Sequence, residues 1–170
     1  MERFYSRLLC CRWMPLPRSV SSRAAAPGVL GNADGSAAAT TMERAIHDAG
    51  CVPSQVDAIS AHGTSTPMND RLETLAIKRV FGKRAYEIPV VSLKSQTGHP
   101  LIAAGALEAV ACLAMLAQQR AAPTINYGKS DPDCDLDYVP NVSRPAKLDV
   151  ILSNNFGFGG QNACLVFGRV

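Results

Sequence analysis

Two histidines and a lysine stand in short tracts of small residues, Ala61-His62-Gly63-Thr64-Ser65-Thr66-Pro67 and Lys94-Ser95-Gln96-Thr97-Gly98-His99. A third tract, Asn155-Phe156-Gly157-Phe158-Gly159-Gly160, adds glycines that free the backbone. Each of the first two lies between a strand-like run and a helix-like run. Loops of that kind collect at one end of a sheet, where layered α/β folds place their catalytic groups. His99 directly precedes Pro100, a residue suited to a first helical turn, so His99 is expected at the N-cap of the helix that follows. The positive end of a helix disfavours imidazolium and favours a neutral, donating ring. It also stabilises nearby anions such as a thiolate or an enolate.

Other chemistries fail on the same residues. Asp131, Asp133, Asp135 and Asp137 alternate like a calcium loop, but Leu136 stands where glycine is needed and no glutamate closes the loop. The Gly157–Gly160 tract lacks the last glycine of a dinucleotide fingerprint and runs into a strand instead of a helix. Residues 63–67 are not a G-x-S-x-G elbow. Cys112 lies inside an apolar helix, where a buried neutral thiol is inert. No metal site is expected.

The elements that must carry these loops are readable from periodicity. Residues 34–49 are alanine-rich and stop at Gly50, a helix with a good C-terminal signal. Residues 56–60 read as a strand. Thr66-Pro67 opens a helix that ends at Gly82, with Leu72, Leu75, Ala76 and Val80 on its buried face. Residues 88–93 are a β-branched strand. Residues 100–118 form a helix that is apolar nearly all round, and its sole charge from 101 to 117 is Glu108. Seventeen mostly small residues around a carboxylate point to a helix buried between layers, not to a membrane span. Residues 123–127 and 132–145 are irregular, and strands at 150–154 and 163–168 pair across the glycine turn. The order is that of a layered α/β fold.

The chain has 170 residues, 47% apolar and 18% charged, enough for one domain with a sizeable core. Its net charge of +3 is unevenly spread. Residues 1–30 hold five arginines against Glu2, and the remainder is slightly acidic, which gives no electrostatic case for nucleic acid. Residues 1–30 form a leader without periodicity, expected to be disordered, and 31–170 form the domain. The leader reads as an organellar transit peptide, a disordered arm or a truncation remnant. The six cysteines, including adjacent Cys10 and Cys11, show no C-x-x-C spacing, so reduced thiols and a cytoplasmic location are expected, with an organellar one if the leader is a transit peptide.

Taken together, the three tracts resemble the C-terminal half of the β-ketoacyl-acyl-carrier-protein synthases, condensing enzymes with a thiolase-like layered α/β fold. The resemblance runs from about Asp34 to Val170 and is closest to the elongating type II enzymes. It implies a decarboxylative Claisen condensation without metal or nucleotide cofactor, on substrates carried by the phosphopantetheine of acyl carrier protein. It implies that His62 and His99 assist at a nucleophilic cysteine, that Lys94 is buried against Glu108, and that the Phe158 amide and ring serve as oxyanion donor and gate. Thr64 and Thr66 would hold the pantetheine arm, Phe156 would belong to the substrate-binding set and with the glycines lend the gating loop its backbone freedom, and Asp70 and Glu73 would hold loop amides. The cysteine belongs to an N-terminal half-domain outside this chain, and the parent family is a homodimer. One half alone would leave an apolar central face uncovered. A non-catalytic truncated product or partner subunit, a polyketide-type ketosynthase, and more distantly a thiolase are the competing readings. Pro100 and Ile102 stand where leucine and glycine are common, a departure next to His99.

Overall fold

In a computed structural model, residues 18–23 and 34–169 are described. The chain runs through strand β1 (Arg18–Arg23), helix α1 (Ser36–Asp48), β2 (Ala58–Ser60), α2 (Pro67–Phe81), β3 (Val90–Val91), the single turn α3 (Lys94–Thr97) and α4 (Ala104–Gln118). It ends with β4 (Arg120–Ala121), β5 (Arg144–Pro145), β6 (Val150–Gly157) and β7 (Gln161–Gly168). Five strands form one sheet in the order β1-β7-β6-β2-β3, and β4 and β5 make a separate two-stranded ladder. β2 is parallel to both β3 and β6, whereas β7 is antiparallel to β6 and to β1. The carboxyl ends of β2, β3 and β6 therefore lie at one edge of the sheet. That edge is where an open α/β sheet binds ligands.

Alternation along the strands sorts the core into two layers. Ile59, Leu152 and Val166 are in register and pack with Val90 under α1 and α2, where Met42, Ile46, Ala76 and Ile77 are buried. Ala58, Ile151 and Phe167 face the other way, with Cys112, Met115 and Leu116 of α4. The alanines of α1, Ala38, Ala39 and Ala45, allow that helix to sit close to the sheet.

α2 starts on Thr66-Pro67 and stops at Gly82, whose φ of 55° no β-branched residue would tolerate. Its buried face is Leu72, Glu73, Ala76, Ile77 and Phe81; Leu75, expected inside, is 41% exposed because the face is rotated toward Glu73. α4 is buried on one side only. Ala104, Glu108 and Cys112 meet the sheet, while Leu107, Val110 and Leu113 are 48%, 66% and 38% exposed. Residues 101–118 are long and apolar enough to cross a membrane by length and composition. Here, though, the helix is the outer layer of a sheet, and its carboxylate points into the packed side.

The expectation of a structureless leader is not met at Arg18–Arg23, which pairs residue for residue with β7 from Arg18↔Val166 to Arg23↔Gln161. An edge strand is held by backbone hydrogen bonds, so it needs no apolar alternation to be legible in composition. The rest of the leader, with Cys10 and Cys11, lies outside the described residues. Deleting residues 1–17 should leave the melting temperature unchanged. Deleting 1–23 uncovers the edge of β7 and should lower it by about 3 °C or more, the shift that ~1 kcal/mol produces in a chain of this length. Equal melting of the two truncations would show that β1 contributes nothing.

Candidate active site

His62 lies two residues beyond β2, and its loop is held by acids from α2. The Glu73 carboxylate, buried, accepts from the backbone amides of His62 and Gly63, each at 2.9 Å. Asp70 accepts from the Ser65 amide at 3.2 Å. Both acids thus hold loop amides. Gly63 has φ 47°, and a Cβ there would fall 2.7 Å from the Ser92 side chain. No other residue fits, and the Ser92 hydroxyl donates to the Gly63 carbonyl at 2.7 Å, tying this loop to the one after β3. The hydroxyls of Thr64 and Thr66 lie 3.0 Å apart.

Lys94 opens α3, a single helical turn within the tract expected to be a loop. Its ammonium meets Glu108 Oε1 at 2.5 Å, with the two side chains 4% and 3% exposed. Asn155 Nδ2 donates to Glu108 Oε2 at 2.7 Å, so both carboxylate oxygens are engaged. His99 departs from expectation. α4 begins only at Ala104, after a 3-10 turn over Leu101–Ala103; Pro100, at φ −82°, ψ 24°, is outside the helical region and Leu101 is left-handed at φ 51°. The exposed His99 ring caps that turn instead: its Nδ1 accepts from the Leu101 amide at 3.1 Å. That contact ties the ring to the short turn and not to the long helix, so the expected N-cap position on α4 is not met. Leu101 takes φ 51° to present that amide.

The two imidazoles converge. Their centroids are 5.6 Å apart with planes at 83°, and Phe156 packs on His62 at 5.5 Å. His62 is 3% exposed, and its Nδ1 has no hydrogen-bond partner among the described residues. Burial, then the charge of Lys94, then His99 pull its pKa down to about 3, so the ring is neutral at physiological pH. Phe158 does not join them. It sits at the same edge, in a turn over Phe158–Gly160, with its ring 87% exposed. β6 extends to Gly157, which turns Phe156 inward and leaves Phe158 beyond the sheet.

A cleft of about 580 Å³ opens between these loops, lined by Thr64, Thr66, Lys94 and His99 among others. Its far wall, unanticipated, is the irregular segment between β4 and β5. Thr124, Tyr127, Cys134 and Tyr138 come from there. Tyr138 OH meets Thr74 Oγ1 at 2.5 Å, and Thr74 in turn donates to the Asp70 carbonyl, so the phenol proton is committed to Thr74. Two tyrosines in a segment without periodicity were the only signal available. Four cysteines are free among the described residues. Burial pushes the Cys112 thiol up to about 12 and that of Cys164 well above its ordinary value, and Cys134 also lies raised. None of these three is an activated nucleophile. Among the described residues no group of three or more His, Cys, Asp or Glu is placed to hold a metal. The arrangement suits hydrogen-bond donation to a developing oxyanion.

His62 should therefore resist protonation in the folded chain while titrating near 6.5 when unfolded. The unfolded state then takes up the proton first, so stability is full above pH 6.5 and falls as pH drops toward 3. Between pH 6.5 and 5 the loss from this group is about 2 kcal/mol. Urea melts of wild type and His62→Phe measure it, and a His62 ring titrating near 6.5 by NMR would contradict the burial.

Comparison with known proteins places this geometry. Residues 18–128 match the family described as beta-ketoacyl synthase, C-terminal domain. The chain is 53% identical over 131 residues to 3-oxoacyl-acyl-carrier-protein synthase 2 of Coxiella burnetii, covering 77% of this chain and 32% of that protein. It is 52% identical over 136 residues to the synthase of the same name from a Synechocystis species, covering 80% and 33%. A solved type II polyketide ketosynthase, in complex with its acyl-carrier protein and bound to the hexaketide, superposes with a TM-score of 0.85 at 44% identity, over 89% of this chain and 37% of that one. The chain spans about a third of the length of the curated relatives it matches. The family match begins at the first residue of β1, and the C-terminal portion of a thiolase-like α/β fold is what the sheet and its flanking helices build. This chain belongs to the β-ketoacyl synthase family, as its C-terminal domain.

Proposed function

We propose that this chain supplies the charge-stabilising part of a β-ketoacyl-acyl-carrier-protein synthase, an acyltransferase working by decarboxylative Claisen condensation. The observation that carries the reading is the edge-on pair of imidazoles at 5.6 Å beside the Lys94–Glu108 pair, at the carboxyl edge of the parallel strands. In the proposed reaction an acyl group passes from a carrier-protein thioester to a cysteine of the first half. Malonyl thioester then loses carbon dioxide, and the bonding pair left behind forms an enolate. The enolate oxygen accepts hydrogen bonds from His62 and His99. Its carbon attacks the acyl-cysteine, the thiolate leaves, and a β-ketoacyl thioester results. The Phe158 amide would hold the oxygen of the acyl thioester, with the ring as gate, and Thr64 and Thr66 would meet the pantetheine amides. No metal or nucleotide enters these steps.

The partners proposed are acyl carrier protein, the N-terminal half and a second copy of the assembled enzyme. The stripe Leu107, Val110 and Leu113 on α4 is where the first half would pack, since a contiguous exposed apolar face marks an interface. A non-catalytic partner subunit is the second reading, favoured by the raised thiols of Cys112, Cys134 and Cys164.

The purified chain with acyl- and malonyl-carrier protein should give no product. Adding a cysteine-bearing first half, fused or in trans, should give β-ketoacyl product, which His99→Ala abolishes. Val110→Lys should leave the melting of the isolated chain unchanged and block the rescue. No product from any first half would support the non-catalytic reading. Product from the chain alone that survives Cys112→Ala would overturn both.

A further inference from the structure

β6 carries two consecutive asparagines whose side chains leave opposite faces of the sheet, each toward a different buried carboxylate. On the α1–α2 face, Asn154 Nδ2 donates to Glu73 Oε1 at 3.1 Å. On the α4 face, Asn155 Nδ2 donates to Glu108 Oε2 at 2.7 Å. Glu73 holds the amides of His62 and Gly63; Glu108 holds the ammonium of Lys94. We propose that Asn154 and Asn155 act as a two-sided positioning clamp, which fixes the His62 loop and the Lys94 turn relative to one another through a single strand. The inference deepens the condensing reading, which gives those two positions their catalytic meaning.

The carboxamide of Asn154 is fully committed. Its Nδ2 also reaches Met42 Sδ at 3.4 Å, and its Oδ1 accepts from Cys164 Sγ at 3.1 Å. The thiol therefore sets which end of the amide faces Glu73, and it stays a donor because burial raises its pKa. Glu73 has no ion-pair partner among the described residues. Four N–H donors replace the water it has lost: the two loop amides, Asn154, and Asn69 at 3.4 Å. Asn154 is the donor that the sheet contributes, so it registers the loop against β6. A carboxylate left with fewer donors in that setting would take up a proton and release one loop amide. Asn155 completes the other carboxylate in the same manner, leaving no oxygen of the Lys94–Glu108 pair unengaged.

The test uses the 170-residue chain and amide NMR, a readout independent of condensation. In Asn154→Asp two carboxyls share the site and bind one proton between them. The His62 and Gly63 amide resonances, expected to be flat with pH in the wild type, should then titrate, and stability should fall as pH rises. In Asn154→Asp with Glu73→Gln the acid and amide exchange places, and pH-independence and most of the melting temperature should return. Asn155→Asp should perturb the Lys94 side-chain resonances and leave the His62 and Gly63 amides in place. Amides that stay flat in Asn154→Asp would overturn the proposal. So would a double variant as damaged as Asn154→Asp, or unfolded alongside it. Failure of the condensing reading would appear elsewhere, as an assembled wild type that makes no product.

Discussion

Removing an ammonium and a carboxylate from water together is the costliest arrangement in this fold. The Lys94–Glu108 pair is buried almost completely on both sides. Loss of either partner alone would strand the other charge, at ~3–5 kcal/mol. That penalty binds α4 to the turn after β3 and so sets where the cleft's inner wall stands. It also places a fixed positive charge near His62, one of the three reasons that ring stays neutral. The tolerance of the pair rests on Asn155, which supplies the hydrogen bond that the lysine cannot.

The second carboxylate, Glu73, makes no ion pair among the described residues. Its hydrogen bonds all come from N–H donors, and burial raises its pKa against their pull and that of the more distant Lys94 charge. The two acids therefore sit on opposite sides of the sheet under different electrostatic regimes, one against an ammonium and one among N–H donors. Such a site resists reorganisation, because moving either loop breaks hydrogen bonds to buried groups, whose loss is costly in a low-dielectric setting.

Local signals were legible where the backbone decides locally. Thr66-Pro67 and Gly82 bracket α2, and Gly63 and the acids of α2 follow from the tract they sit in. The pairing of Lys94 with Glu108 was accessible only through the family resemblance, since the thirteen intervening positions carry no sign of it. What escaped reading depends on tertiary placement. The left-handed Leu101 postpones α4, and His99 caps a shorter turn. Phe158 falls outside because β6 runs three residues past the expected end of the strand. Leu75 rotates outward so that Glu73 can reach the loop, a polar requirement that outranks apolar periodicity. The wall made by Tyr127 and Tyr138 comes from a segment whose shape is imposed by what it packs against.

The first strand of the described chain pairs with the last. During synthesis Arg18–Arg23 leaves the ribosome long before Gln161–Gly168 exists, so its partner is absent while the 137 residues between them are made. Pairings between such distant segments are entropically late and slow. The parallel strands and their helices can assemble first, and the outer ladder closes only once β7 has emerged. Until that moment β7's future neighbour is an unpaired segment, open to capture by a chaperone or by the same strand of another nascent chain.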